Sequence, residues 1–350
     1  MFVTVLYAVS RDARTKPFGP HVLDIDYGAE ERRIETFLSQ SVARGLNRRG
    51  VVVGVSGGID SSVCVALATR ALGASRVFAL LMPEKEGSDD AMERAKRLCE
   101  RLGVTYAIED IGPTLAASGA YARRDAAIRQ MLPDFGPGWR HKIVISGMFD
   151  RARIPHFHLV AEAPDGIRHT MRMPTDIYLQ VVAATNYKQR IRKMTEYYHA
   201  ERLNYAVIGT PNKLEYDLGF FVRGGDGLAD VKPIAHLYKS QVYAMAAHLG
   251  VPEEIRRQPP STDTYTLPQS QEEFFFALPY PQADLLLYAM NNGVPAESIG
   301  PALGLDLDQV ATARADFAAK KKAAHRILRD AILITDSEVG AESPQADAVQ

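Results

Sequence analysis

Cysteine is scarce in this sequence, and long apolar runs are absent. Only two cysteines, Cys64 and Cys99, occur among the 350 residues, and each lies within a helical pattern. They predict small core side chains rather than a disulfide or a metal pair, which suits a reducing compartment. No stretch of about 18 or more apolar residues occurs, and the N-terminus lacks a basic flank before an apolar segment. We therefore expect a cytoplasmic protein without a membrane partner.

Charge of one sign is not in excess either. Lysine and arginine together number 41, against 42 aspartates and glutamates. This balance implies no broad basic face, and it argues against a nucleic-acid partner. Three consecutive lysines, Lys320, Lys321 and Lys322, lie near a step that imitates a helix–turn–helix. We interpret them as a solvated helix face rather than a DNA contact.

A glycine- and serine-rich loop follows the apolar residues 51–53 and reads Gly54-Val55-Ser56-Gly57-Gly58-Ile59-Asp60-Ser61-Ser62. This order predicts a strand, a phosphate loop and a helix N-terminus, where backbone N–H groups favour anions. The loop lacks the lysine of the Walker pattern and the third glycine of the dinucleotide pattern. It offers hydroxyls that can donate to phosphate and an aspartate that can hold a divalent cation. The alternative is a glycine–serine turn with an incidental acid.

A second polar cluster follows another predicted strand, residues 205–208. It runs from Gly209 and Thr210 through Asn212 and Lys213 to Glu215. In parallel sheets, ligands bind at the carboxyl ends of the strands, where both this cluster and the first loop are expected.

These stretches resemble a known family. The residues Ser-Gly-Gly-Ile-Asp-Ser at 56–61 resemble the pyrophosphate loop of the ATP pyrophosphatases, which cleave ATP between its α and β phosphates, and the surrounding strand and helix are most similar to ammonia-dependent NAD synthetase. Five further stretches match the pattern of that family in the same order: Asn-Tyr-Lys-Gln-Arg-Ile-Arg at 186–192, the turn at 209–215, the glycine-rich segment 219–230, Leu-Tyr-Lys-Ser-Gln at 237–241 and Pro-Pro-Ser-Thr-Asp at 259–263.

The resemblance implies that ATP is a substrate and that Mg²⁺ is held by Asp60 and Glu215. The residues it implies for ATP binding are Gly54, Ser56, Gly57, Gly58, Asp60, Ser61, Ser62, Met82, Arg190, Thr210, Lys239 and Ser261. The implied catalytic residues are Asp60, Lys239 on the α-phosphate, Ser261, and Asp226, which would hold ammonium and accept its proton. The implied substrate contacts are Asn186, Lys188, Arg192, Asp226 and Asp230. Without the family, the basic residues also suit a solvated helix face, and Asp226 and Asp230 suit turn caps.

Strands alternate with helices along the chain, which predicts an α/β fold with a doubly wound parallel sheet and helices on both faces. Predicted helices include 29–46, 88–102 and one long helix over 176–203. By resemblance, residues 29–280 form the NAD synthetase-like domain, after an N-terminal segment 1–28. An insertion with a β-hairpin spans about 132–175. A helical extension at 281–333 and a disordered tail at 334–350 follow.

Four histidines fall in the predicted insertion: His141, His156, His158 and His169. No cysteine accompanies them, and no carboxylate lies at ligand spacing. We predict a solvated hairpin, or a flap that shapes a substrate pocket, rather than a metal site.

The function implied is an ATP-dependent amide ligase that adenylates a carboxylate and transfers ammonia to it, with deamido-NAD as the acid. Partners would be ammonia, free or from a separate protein, and a second copy of the chain in a homodimer. Pro211 in the nucleotide turn, Gly225 and the segment after Asp263 depart from the family pattern, and the last two concern the end of the site that recognises the nicotinate group of the acid. The alternatives are a different carboxylate, a tRNA-modifying ATP pyrophosphatase, which the neutral charge and the lack of cysteine pairs disfavour, and a nucleotide-binding module that has lost catalysis.

Overall fold

The computed structural model describes residues 16–146, 156–260 and 264–332. The predicted disordered tail, most of the N-terminal segment and Ser261 lie outside these ranges. None of the helices in the described part of the chain combines the length and the apolar composition that crossing a bilayer requires.

Within these ranges the chain forms seven strands and thirteen α-helices. The strands are β1 (Val51–Gly54), β2 (Val77–Leu81), β3 (Thr105–Ile108), β4 (Arg140–Ser146), β5 (His156–Glu162), β6 (Arg168–Arg172) and β7 (Ala206–Ile208). The helices up to β7 are α1 (Tyr27–Gln40), α2 (Ile59–Leu72), α3 (Asp89–Leu102), α4 (Gly112–Ala117), α5 (Ala120–Arg129), α6 (Thr175–Thr185) and α7 (Tyr187–Leu203). After β7 come α8 (Lys213–Leu218), α9 (Lys239–His248), α10 (Glu253–Arg256), α11 (Tyr280–Asn291), α12 (Ala296–Leu303) and α13 (Leu307–Leu328).

The strands form two sheets. Four strands pair in parallel in the order β3-β2-β1-β7, and β4-β5-β6 form a separate antiparallel sheet. Alternate residues of β1 enter two different clusters: Val51 and Val53 pack with α1, α2 and α9, whereas Val52 packs with Ala200 of α7 on the opposite face. Because side chains alternate across a strand, helices on both faces leave the three valines of β1 fully buried. The predicted α/β fold class is confirmed.

Several boundaries differ from the prediction. The helix predicted over 176–203 is two helices, α6 and α7, which meet at Asn186. The first helix begins earlier, because the Asp26 carboxylate caps it by accepting from the Ala29 N–H at 2.9 Å, and it changes to a π-helical turn at Ser41–Gly45. The predicted hairpin is present as β5 and β6, but β4, the third strand of this sheet, was not predicted.

The antiparallel sheet is tied to the segment that follows residue 263. The Lys142 ammonium donates to the Glu273 carboxylate at 2.7 Å, and the His141 N–H donates to the Thr266 hydroxyl at 2.7 Å. The Leu267 N–H in turn donates to the His141 carbonyl at 3.0 Å. These two parts of the chain, more than 100 residues apart, therefore form one packed unit with α5 and α6.

The buried Asp284 of α11 caps α9 from a distance. One of its carboxylate oxygens accepts from the Lys239 N–H at 3.1 Å, and the other accepts from the Ser240 N–H at 2.7 Å. The first turn of a helix leaves N–H groups without intrahelical partners, and these two bonds satisfy a pair of them. The contact joins the C-terminal helices to the helix that carries Lys239.

Replacing Asp284 with alanine should lower the free energy of unfolding by about 1–3 kcal/mol, because two buried N–H groups lose their acceptors. Asp284→Asn keeps one acceptor oxygen and should cost roughly half as much. Denaturant unfolding of the two variants and the parent measures both values. Equal and small losses would show that α9 does not depend on this cap.

Candidate active site

A cavity of about 910 Å³ lies at the carboxyl ends of β1, β2 and β7. Residues from both predicted polar clusters line it. The predicted site residues in its wall are Gly54, Ser56, Gly57, Gly58, Asp60, Ser61, Met82, Asn186, Lys188, Arg192, Thr210, Glu215, Asp226 and Lys239. A volume of this size is in the range of small-molecule sites, and it arises where parallel sheets bind ligands.

The glycine–serine loop joins β1 to α2 through a turn that only glycine suits at position 57. Gly57 has a φ of +80°, and a Cβ there would lie 2.1 Å from the Ala91 carbonyl oxygen of α3. Gly58 is the N-cap of α2, so the N-terminus of that helix faces the cavity. The Ser56 and Ser61 hydroxyls lie 3.2 Å apart. The loop thus presents hydroxyls and a helix N-terminus to a bound anion.

Four side chains from three elements converge beside the loop. The Asn212 side-chain amide donates to the Asp60 carboxylate at 3.2 Å, and the Asn212 N–H donates to the Glu215 carboxylate at 3.1 Å. The Lys239 ammonium forms an ion pair with Asp60. Asn212 and Glu215 form a capping box at the start of α8, a signal that the Asn-x-x-Glu spacing carries in the sequence.

This cluster holds two acidic side chains, Asp60 and Glu215, and one basic side chain, Lys239, in a buried environment. Burial raises the pKa of Glu215, and the negative charge of Asp60 raises it further. Burial tends to lower the pKa of Lys239, but the Asp60 and Glu215 carboxylates outweigh it and raise that pKa. Two carboxylates held together beside one ammonium favour the arrival of further positive charge.

The Asp60 and Glu215 carboxylates fit Mg²⁺, because hard oxygen donors are the ligands that this cation prefers. In the described ranges no group of three or more histidine, cysteine, aspartate or glutamate side chains could hold a metal ion. A cation at this pair would therefore complete its coordination with water and with phosphate oxygens, as Mg²⁺ commonly does.

Asp226 lies in the same cavity wall in a different environment. Its carboxylate accepts from the Val222 N–H at 2.7 Å. Burial raises its pKa, and the neighbouring Lys193 and Arg192 charges oppose that rise. A buried carboxylate with a raised pKa is suited to accept a proton from a ligand.

The ammonium group of Lys188, a predicted substrate residue, is hydrogen-bonded to acceptors within the protein. Its ammonium donates to Glu84 at 2.8 Å, to Glu86 at 2.7 Å and to the Thr264 carbonyl at 3.0 Å. These acceptors match the three N–H bonds of a lysine ammonium. Glu86 also pairs with the buried Arg124 at 2.7 Å. Lys188 therefore links the loop after β2 to the segment after residue 263.

Helix α7 carries a buried ion pair that was not predicted from the sequence. The Lys193 ammonium contacts the Glu196 carboxylate at 2.6 Å, and both side chains line the cavity. Glu196 lies so close to the end of β1 that a Cβ on Gly54 would be 2.8 Å from its carboxylate. Their spacing of three residues is a helical ion-pair signal, but it carries no indication that the pair is buried.

Three predicted site residues lie outside the cavity wall. The Ser62 hydroxyl donates to the Gly58 carbonyl at 2.7 Å inside the first turn of α2. The Arg190 guanidinium donates to the Arg223 carbonyl at 3.3 Å. Asp230 accepts from the Val207 N–H at 2.8 Å and from the Tyr197 hydroxyl at 3.2 Å, so it organises the end of β7. Each side chain already has a protein partner in place of a ligand.

Replacing Gly57 with alanine should weaken ATP binding by roughly tenfold or more, because the new methyl group meets the α3 backbone as well as an unfavourable φ. Gly73→Ala is the matched control: Gly73 has a φ of +82°, but a Cβ added there would have no other atom within 4 Å, and it lies at the far end of α2. Calorimetric titration with ATP should separate the two. A Gly57→Ala variant that binds ATP like the parent would contradict the role of this turn.

The amino-acid sequence matches a known protein family and its members. The family model described as NAD synthase matches residues 30–133 and 165–326 and omits 134–164, which contain β4 and β5. The NH(3)-dependent NAD(+) synthetase of Rhizobium meliloti (strain 1021) is 56% identical over 306 residues, covering 87% of this chain and 91% of that protein.

Two solved structures share the fold. The NMN synthetase from Francisella tularensis superposes with a TM-score of 0.61 at 22% identity and covers 89% of this chain and 99% of its own. The NH3-dependent NAD synthetase from Campylobacter jejuni gives 0.58 at 23% identity, covering 89% and 100%. The family match over most of the chain, together with the 56% identical relative, shows that the chain belongs to the NAD synthase family.

Proposed function

We propose that this protein is an ammonia-dependent NAD synthetase, a ligase that uses ATP to convert the carboxylate of deamido-NAD into an amide. The observation that carries the proposal is the convergence of Asp60, Glu215 and Lys239 beside the phosphate loop. The names of the relatives, NH(3)-dependent NAD(+) synthetase, support the choice of reaction and acid.

The first step is adenylation. An oxygen of the substrate carboxylate attacks the α-phosphorus of ATP, a phosphorus–oxygen bond forms, and the bond to the β-phosphate breaks with release of pyrophosphate. The loop N–H groups and the Ser56 and Ser61 hydroxyls donate to the departing phosphates, and Lys239 neutralises charge at the α-phosphate. Mg²⁺, held by Asp60 and Glu215, supplies further charge neutralisation when it is bound.

The second step is amide formation. Ammonia attacks the carbonyl carbon of the acyl-adenylate, the carbon–nitrogen bond forms, and the bond to AMP breaks. Ammonium must first lose a proton, and the nitrogen loses another as the amide forms. Asp226, which lines the cavity, would hold ammonium and accept a proton, a role that its buried carboxylate suits.

The ammonia would arrive free or from a separate protein. The protein would act in the cytoplasm, because Cys64 and Cys99 are both buried free thiols of the kind that a reducing compartment maintains.

Incubation with ATP, Mg²⁺, ammonia and deamido-NAD should yield pyrophosphate and NAD in equal amounts. Asp60→Asn and Glu215→Gln should each lower turnover by roughly a hundredfold or more, because the charge on the departing pyrophosphate is no longer compensated. Asp26→Asn is the matched control, since asparagine caps α1 as well as aspartate does.

Each alternative has its own outcome in this assay. Pyrophosphate release with another acid, without NAD formation from deamido-NAD, would contradict the substrate assignment. No ATP turnover with any acid would favour a nucleotide-binding module. An Asp60→Asn variant with full turnover would contradict the metal role.

We also propose that the protein is a homodimer that pairs through the outer face of α7. Met194 and Tyr198, one helical turn apart, are 60% and 62% exposed, and large apolar side chains at this exposure suit an interface. Ile108, at the end of β3, is 53% exposed. Its neighbour Glu109 contacts His199 of α7 at 2.9 Å, so these apolar side chains belong to one region of the surface.

Tyr198→Asp should convert the dimer to a monomer, because a carboxylate would be buried at the interface without a partner. Leu307→Asp is the control: Leu307 is 55% exposed at the start of α13, where an acidic residue is tolerated. Size-exclusion chromatography with light scattering measures the masses. A monomeric parent, or a dimeric Tyr198→Asp variant, would contradict this interface.

A further inference from the structure

Two of the basic side chains that line the cavity have no acidic partner. The basic residues of the wall are Arg94, Lys188, Arg192, Lys193, Lys239 and Lys320. All four lysines form ion pairs with carboxylates of the protein. The guanidinium groups of Arg94 and Arg192, in contrast, form no ion pair and donate no hydrogen bond to any residue in the described ranges. Their charges are therefore available to a ligand.

The two arginines lie in different parts of the wall. Burial raises the pKa of Asp226, and the charge of Arg192 opposes that rise, so Arg192 lies near this acid. Arg94 belongs to α3, and the first turn of α3 packs against the phosphate loop: a Cβ on Gly57 would lie 2.1 Å from the Ala91 carbonyl oxygen. Because Ala91 and Arg94 are three residues apart, they lie on the same face of the helix. Arg94 is therefore the unpaired cation beside the phosphate loop.

The Arg94 side chain extends over the turn that touches the loop. Side chains of a helix lean towards its N-terminus, so that of Arg94 covers the turn containing Ala91. Its Nε is buried and has no hydrogen-bond partner in the described part of the chain. A buried N–H without an acceptor is costly, and an oxygen of a ligand in the cavity would satisfy it.

The acidic residues nearby do not neutralise this arginine. Asp89 and Asp90 line the same wall at the start of α3, but both are exposed. Asp90 precedes Arg94 by four residues, a spacing at which helical ion pairs form, and no such pair connects these two described residues. Because water and salt screen exposed charges, Arg94 remains able to attract an anion.

A guanidinium beside the loop suits the phosphates that leave during adenylation. Its planar N–H donors match two oxygens of a phosphate group. When the bond to the α-phosphorus breaks, the bridging oxygen keeps the electron pair, so negative charge grows on the pyrophosphate half. Lys239, which the proposed function assigns to the α-phosphate, already pairs with Asp60. Arg94 brings a charge that no described acid compensates.

We propose that Arg94 binds the β- and γ-phosphates of ATP and holds the pyrophosphate as it leaves, an inference that rests on the proposed function. The buried Nε and the outer N–H groups of the guanidinium donate to phosphate oxygens. Arg94 thus adds a charged contact from α3 to the Ser56 and Ser61 hydroxyls of the loop itself. It lies outside every stretch that resembles the family, so the motifs gave no indication of it.

The test compares ligands that differ in these two phosphates: ATP, AMP and inorganic pyrophosphate, each titrated calorimetrically in the presence of Mg²⁺. Arg94→Met should weaken the binding of ATP and of pyrophosphate about ten- to hundredfold, the range for hydrogen bonds to a charged group, and should leave AMP within about twofold. Arg94→Lys keeps the charge but not the planar donors, so its losses should be smaller. The rate of NAD formation is measured for the same proteins.

Arg97→Met is the matched control. Arg97 follows Arg94 by three residues on α3, but its side chain is 55% exposed, pairs with Glu254 at 3.0 Å and does not line the cavity. Its affinities should match those of the parent.

Two results would overturn the contact: an Arg94→Met variant that binds ATP like the parent, or one that loses affinity for ATP and AMP equally, which would indicate a distorted loop. Arg94→Lys decides the matter if Arg94→Met fails to fold, because unchanged binding of ATP and pyrophosphate would again overturn the contact. A parent that binds ATP and pyrophosphate through Arg94 but forms no NAD would overturn the proposed function alone.

Discussion

The parallel pairing of β1 with β7 is the constraint on which the active site depends. Val51 pairs with Ala206, and the next two residues of each strand follow in register, although about 150 residues separate them in the chain. Because parallel strands end at the same edge, the turn after β1 and the turn after β7 must meet there. Asn212 joins them by contacting both Asp60 and Glu215. The pairing of β1 with β7 is therefore what brings the Asp60 and Glu215 carboxylates to the same edge of the sheet.

Holding these carboxylates together has an electrostatic cost that the rest of the site offsets. Burial raises the pKa of Glu215, and Asp60 adds to the effect, so the pair is stable only near positive charge. Lys239 supplies that charge from the first residue of α9, and Asp284 of α11 holds the backbone of that helix start. The C-terminal helices thus contribute to the site through the position of one lysine. The two carboxylates would attract a cation, and the lysine would attract the phosphates of a nucleotide.

Two of the regions where the sequence departs from its family form one structural unit. The insertion and the segment after residue 263 share a core and several hydrogen bonds, and Lys188 connects that unit to the loop after β2 through Glu84 and Glu86. Hydrogen bonds of Lys188 therefore link this unit to the loop after β2, although distant parts of the chain build the two.

The local features of the fold and site could be predicted because they depend on neighbours in the sequence. Glycine at position 57, the strand before it and the helix after it follow from local backbone preference, and Ser88 as the cap of α3 follows in the same way. Long-range contacts could not be predicted in this manner. The strand β4 was not predicted although Ile143, Val144 and Ile145 are β-branched, because so short a run does not identify its partners. Its partner strand β5 and the segment around Thr266 bind it through hydrogen bonds.

The sequence by itself determined the class of fold and the position of the glycine–serine loop, because both depend on local patterns, and its resemblance to a family indicated the kind of chemistry. Only the tertiary structure decided which polar residues face the cavity. Ser62, Arg190 and Asp230 belong to matching motifs, yet each donates to or accepts from the protein backbone instead. Lys193 and Glu196 were not predicted as site residues, yet they form an ion pair in the cavity wall. The direction of a side chain depends on which helix face packs against the sheet, and distant residues fix that packing.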